Sequence, residues 1–115
     1  MLNQYETESV RKAFSDFGWM QKKIGLNTTR AIKKRLDQLR ASLNFSIYLA
    51  ADLGKPHSLA GDFKGYYGIA ITGNVRLIIK PDAANLESET LKNCDTVIIK
   101  GVVDYHGRKN EWLVP

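Results

Sequence analysis

An α+β domain is what this sequence predicts: two N-terminal helices and a short third, packed on a twisted, mostly antiparallel sheet of about four strands. Three observations carry that expectation. Apolar residues recur at helical spacing through the first half of the chain. The period changes to alternation from Tyr66 onward, and a Gly73-Asn74 link separates two apolar runs. At 115 residues the chain makes one domain, 1–115, without repeats or an interdomain linker.

Leu2–Tyr5 reads as a short extended start. Val10, Ala13, Phe14, Phe17, Met20 and Ile24 then fall on one helical face, with Thr7 or Ser9 as cap and Gly25 as terminator. Gly18 interrupts that pattern and marks where the helix weakens. Asn27 or Thr28 opens a second helix whose stripe is Ile32, Leu36, Leu39 and Leu43. Phe45–Leu53 forms the short third, closed by Gly54 and stopped by Pro56. Tyr66–Thr72 and Val75–Lys80 are then strands of a tight hairpin. A two-residue loop pairs Thr72 with Val75, Ile71 with Arg76 and Ile69 with Ile78, and sets Arg76 on the face of Tyr67. Pro81–Asp95 is polar and unpatterned, a connection. Thr96–Tyr105 is the last strand, its alternation putting Lys100, Asp104 and His106 on one face and Val97, Ile99, Val103 and Tyr105 on the other.

The net charge of +5 is unevenly placed. Residues 1–60 carry ten Lys/Arg against five Asp/Glu, and residues 61–115 carry seven of each. The excess, chiefly Lys22, Lys23, Arg30, Lys33, Lys34, Arg35 and Arg40, suits either a solvated helix face or a polyanion such as RNA. One cysteine, Cys94, makes no internal disulfide, which fits a reducing cytoplasm. No apolar run reaches membrane-spanning length, and Met1–Glu6 lacks a signal-peptide pattern. Membrane insertion and secretion are therefore not expected.

The chemistry-bearing residues sit in three segments: Lys55-Pro56-His57-Ser58-Leu59-Ala60-Gly61-Asp62, Asn74-Val75-Arg76 and Asp104-Tyr105-His106. Together they hold both histidines and a fixed cation. Two proton carriers working near neutral pH plus one guanidinium are the minimum for metal-free phosphodiester cleavage. Taken singly, each histidine is more often a surface or hydrogen-bonded residue than a catalytic one. Two histidines and one cysteine without short ligand spacing make no metal site, and no cofactor fingerprint is present. Asp104, two residues before His106, suits orienting its imidazole or pairing with Lys100.

Those same segments resemble the HigB branch of the RelE/ParE toxin superfamily. There a His-x-Leu-x-Gly-Asp segment leads into a hairpin with an Asn-x-Arg turn, and Asp-Tyr-His closes the last strand. The likeness covers about half the chain. It implies a RelE-like microbial RNase fold and the toxin of a type II toxin–antitoxin pair. It also implies ribosome-dependent mRNA cleavage without metal or cofactor, and a HigA-type helix-turn-helix antitoxin in a toxin–antitoxin hetero-oligomer. Carried over, His57, Arg76, Asp104, Tyr105 and His106 become the catalytic set. Arg76 clamps phosphate, the two histidines serve as base and acid, and Tyr105 orients the substrate. Lys55, Lys64, Tyr67 and Arg108 complete the surface as RNA contacts. The chain departs from the pattern at Val75, where many relatives have Trp, near Thr72, where many carry a second basic residue, and in the tail Gly107–Pro115. Two other functions compete: a ParE-like toxin that disables gyrase by binding, and a non-enzymatic regulatory or antitoxin-type partner.

Overall fold

A computed structural model describes residues 1–106 and 109–115. Thr7 starts the first helix, α1 (Glu8–Phe14), its hydroxyl accepting the Val10 N–H at 3.2 Å. The single helix expected over residues 10–24 is instead two. Asp16 breaks it by accepting the Trp19 N–H at 2.9 Å and capping α2 (Phe17–Ile24). The interruption thus comes from a competing carboxylate cap, while Gly18 sits harmlessly in the first turn of α2. Gly25, at φ +91°, turns the chain into α3 (Leu26–Ala41). Ile32, Leu36 and Leu39 are buried along α3 as the spacing predicts, but Leu43 lies past its end and is 79% exposed. The third helix, α4, spans Phe45–Ala51. A short α5 (Ser88–Lys92) occupies part of the stretch expected to be a connection, with Leu91 buried beneath it.

The strands are β1 (Leu2–Tyr5), β2 (His57–Ser58), β3 (Tyr67–Ala70), β4 (Val75–Pro81), β5 (Thr96–His106) and β6 (Lys109–Val114). Their order is β1-β5-β4-β3-β2, and β6 also pairs with β5. The described residues therefore form six strands where about four were expected. Lys109–Val114 of the tail pairs antiparallel with the outer end of β5, while β1 lies parallel along its inner end.

Two registers differ from the simple alternation. The hairpin link is four residues, Ile71–Asn74, because the N–H groups of both Ile71 and Thr72 converge on the Val75 carbonyl at 2.9 and 3.3 Å. Arg76 consequently opposes Ala70, and Tyr67 opposes Ile79 on the other face. A one-residue slip has reversed which side chains accompany Arg76. In β5, Ile99 pairs with Ile79 but Gly101 pairs with Ile78, leaving Lys100 as the extra residue of a β-bulge. Paired residues share a face, so Val97, Ile99, Val102 and Asp104 lie on one side. Gly101, Val103 and Tyr105 lie on the other with Arg76. The expected grouping of Val103 and Tyr105 with Ile99 is thereby overturned beyond the bulge.

The core forms where helices meet one sheet face: Met20, Ile32, Leu36, Phe45 and Tyr48 against Ile69, Leu77, Ile79, Val97, Ile99 and Val102, all with essentially no exposure. A second bulge, at Leu113 in β6, turns Val114 into this core opposite Val102, while Trp112 stays on the far side opposite Val103. Gly101 makes that crossing feasible. Any Cβ there would overlap the Val114 carbonyl oxygen and press on the Trp112 ring. Gly101→Ala is expected to cost about 2–3 kcal/mol in chemical denaturation. Gly73→Ala, with no atom within 4 Å of the added methyl, is expected to be close to neutral.

Candidate active site

Call the face away from the helices the open face. At one corner of the sheet, β4 begins with Val75 and Arg76 while β5 ends with Asp104, Tyr105 and His106. Val75 pairs with Asp104, and the Tyr105 N–H donates to the Asn74 carbonyl at 2.9 Å. His106 thus extends past the last β4 pair and, two residues after Asp104, projects with it toward the helix side, about 11 Å from Arg76 by strand spacing. Its Nε2 lies 2.8 Å from Asp104 Oδ2, with the imidazole side chain 59% and the carboxylate 17% exposed. A neutral imidazole donating Nε2–H to that carboxylate keeps the Nδ1 lone pair for a proton. The other carboxylate oxygen, Oδ1, is buried without a partner among the described residues.

Arg76 stands on the open face, diagonal to Tyr105, at a spacing long side chains bridge (about 7–8 Å). Its Nη1 donates to the carbonyls of Thr72 (2.7 Å), Val75 (3.0 Å) and Gly73 (3.2 Å). The hairpin therefore holds one arm of the fork, and among the described residues Nε and Nη2 have no protein partner. The guanidinium is fixed in place with two donor groups still available.

His57 does not join this corner. It pairs with Gly68, and its ring lies over that glycine, where a Cβ would meet Cε1 at 3.4 Å. Following the register from Gly68 through Ile78 to Gly101 puts it three strands across and five residues along from His106. Strand geometry makes that separation on the order of 20 Å. The convergence of two imidazoles is therefore corrected: edge strand β2 carries His57 to the opposite side of the sheet. It shares the open face with Arg76, roughly 12 Å away by the same spacing. Lys55, at φ +48°, and Lys64 are exposed near it. Tyr67 is corrected too. It is 8% exposed and packs edge-on against Phe45 at 5.1 Å on the helix side, so its ring is closed to a base. Arg108 lies outside the described residues.

Tyr66, the neighbour of Tyr67, takes the open-face position. Its hydroxyl donates to Glu6 Oε1 at 2.8 Å, and the Lys80 and Lys100 ammoniums lie 5.1 and 5.3 Å from its ring centre. Lys100 also pairs with Glu6 at 3.2 Å and approaches Trp112 at 5.8 Å, while Phe63 meets Trp112 edge-on at 5.9 Å. This layer covers the middle of the open face beside the corner. The sequence reading gives the tail no strand and so does not place Trp112 on this face. The alternation Asn110, Trp112 after Gly107 was the available signal. Among the described residues, no group of three His, Cys, Asp or Glu side chains is placed to hold a metal ion. No helix of the structure is long and apolar enough to cross a membrane.

Burial, then the Glu6 carboxylate, pushes the Tyr66 phenol up to about 12. Because the folded-state value is the higher one, its stabilising contribution is complete below about pH 10 and disappears as pH climbs toward 12. Ultraviolet titration should show a late-ionising tyrosine assigned by Tyr66→Phe, and Glu6→Gln should move its ionisation partway back toward the ordinary range.

No family model and no curated protein matches this chain. Solved structures do. The YoeB–YefM complex from Staphylococcus aureus contains a chain aligned over 92% of this one and 98% of its own length, with TM-score 0.56 and 19% identity. A YoeB/ParE toxin from Agrobacterium tumefaciens aligns over 92% and 100%, with TM-score 0.58 and 18% identity. A YoeB dimer from Staphylococcus aureus gives 92% and 97%, TM-score 0.53 and 17% identity. At these identities the likeness is one of architecture, and the chain has the α+β fold of these YoeB-type toxins.

Proposed function

We propose that this chain is the toxin of a type II toxin–antitoxin pair and acts as a metal-independent endoribonuclease on mRNA at the ribosome. One observation carries the proposal: an imidazole oriented by a carboxylate, His106–Asp104, ends the strand paired with the one that begins with a guanidinium fixed by its own hairpin, Arg76. The shared architecture with proteins named as toxins supports the biological class. Their pairing with YefM supports an antitoxin partner in a hetero-oligomer. The Asp-Tyr-His ending favours an antitoxin of the HigA helix-turn-helix type and a HigB-like toxin.

In this reading His106 Nδ1 removes the proton of a ribose 2′-OH, which attacks the adjacent phosphorus. Asp104 holds the ring and stabilises the imidazolium formed. The free donors of Arg76 meet the charge gathering on the phosphoryl oxygens. The P–O5′ bond breaks, leaving a 2′,3′-cyclic phosphate and a 5′ alcohol that takes its proton from water at the open corner. His57, with Lys55 and Lys64, is assigned to neighbouring phosphates along the open face instead of to the proton transfers.

A second reading, inhibition of gyrase by binding, is favoured by the remoteness of His57 and by the engagement of Arg76 Nη1 within its hairpin. Controlled expression in a bacterium, with transcript 5′ ends mapped with and without translation, separates the two. Wild type should arrest growth and cut within translated frames. His106→Ala should lower cleavage by about 10²–10⁴-fold and Arg76→Ala by roughly 10²-fold, with the fold retained. A folded Arg76→Ala/His106→Ala double variant that remained fully toxic would overturn the nuclease reading and favour gyrase.

A further inference from the structure

The tail strand β6 adds side chains to the corner that the catalytic set does not use. Its register with β5 pairs Tyr105 with Asn110 and Val103 with Trp112. Because Val103 also pairs with Arg76, all of Arg76, Tyr105, Asn110 and Trp112 project to the open face. Asn110 is exposed, and Trp112, propped edge-on by Phe63 and lying against Gly101, keeps 37% of its surface accessible. Directly opposed residues on one face have Cβ atoms about 4.5–5.5 Å apart, so the Asn110 amide sits within one hydrogen-bond reach of anything lying on the Tyr105 ring. An unpaired base has two recognisable features, a flat π-face and an edge of donors and acceptors. Two aromatic rings flanking a carboxamide with no hydrogen-bond partner among the described residues match both.

We infer that β6 is the base-reading element of the site, with one base stacked on Tyr105 and its edge read by the Asn110 carboxamide. This rests on the endoribonuclease reading above and adds to it the residue that sets sequence preference. Asn offers one donor and one acceptor side by side, so the favoured base presents the complementary acceptor and donor. A carboxylate accepts only, and its match is an edge with two adjacent N–H groups, which among the RNA bases is that of guanine.

The test compares wild type, Asn110→Ala and Asn110→Asp, each expressed in a bacterium, by the distribution of bases at mapped cleavage sites, scored per cut. Asn110 is exposed at the ribbon end, and equal melting temperatures of the three proteins check the fold. The inference predicts a marked base preference in wild type, roughly tenfold weaker in Asn110→Ala. In Asn110→Asp it predicts a preference displaced toward guanine. Identical distributions in all three proteins, or an indifferent wild type, overturn the inference while leaving the nuclease reading intact. A wild type that cuts no RNA removes the nuclease reading, and this inference with it.

Discussion

Strand β5 and the single extra residue within it are the constraint on which this structure depends. β5 pairs with β1 on its inner half, with β6 on its outer half and with β4 along most of its length. Its bulge at Lys100 reverses the facing of everything that follows. Val102 thereby fills the core where strict alternation would have put Val103, and Tyr105 emerges beside Arg76 while Asp104 turns to the helix side. Gly101 is the backbone solution that lets β6 cross so closely. The site is the chemical consequence of an odd-numbered shift in one strand.

That shift also explains why the corner is chemically divided. Asp104 is largely enclosed and holds the exposed His106 ring on the helix side. Arg76 is held from the other side by the carbonyls of its own turn. Each group is thus pre-oriented by local geometry, and little side-chain entropy remains to be lost on binding a ligand. The hairpin that fixes Arg76 is the one whose four-residue link set its register. Turn geometry and charge placement are therefore the same fact.

Much of this was legible in the residues. The helical stripes of Ile32, Leu36 and Leu39, the stop at Gly25 and the alternating strands gave the α+β class and the helices' buried faces. What failed was whatever depended on counting by twos. Alternation predicts facing only while no residue is inserted, and neither the Lys100 bulge nor the Ile71–Asn74 link announces itself in composition. His57 and His106 look equivalent as lone histidines beside strands. Their separation depends on strand order, with β2 at one edge, which local sequence does not encode. Tyr67 and Tyr66 exchanged roles for the same reason, a one-residue difference in register deciding which ring is buried. The strand in the tail is not legible because its alternation spans only a few residues.

The central claim is that the β4–β5–β6 corner, and not the region of His57, meets the scissile RNA. Amide chemical-shift mapping with a single-stranded RNA carrying one 2′-deoxy residue, which blocks cleavage there, tests it most directly. Saturable shifts centred on Arg76, Tyr105, His106 and Asn110 are the expected result. Shifts centred on Lys55–Ser58 with a silent corner would contradict the account.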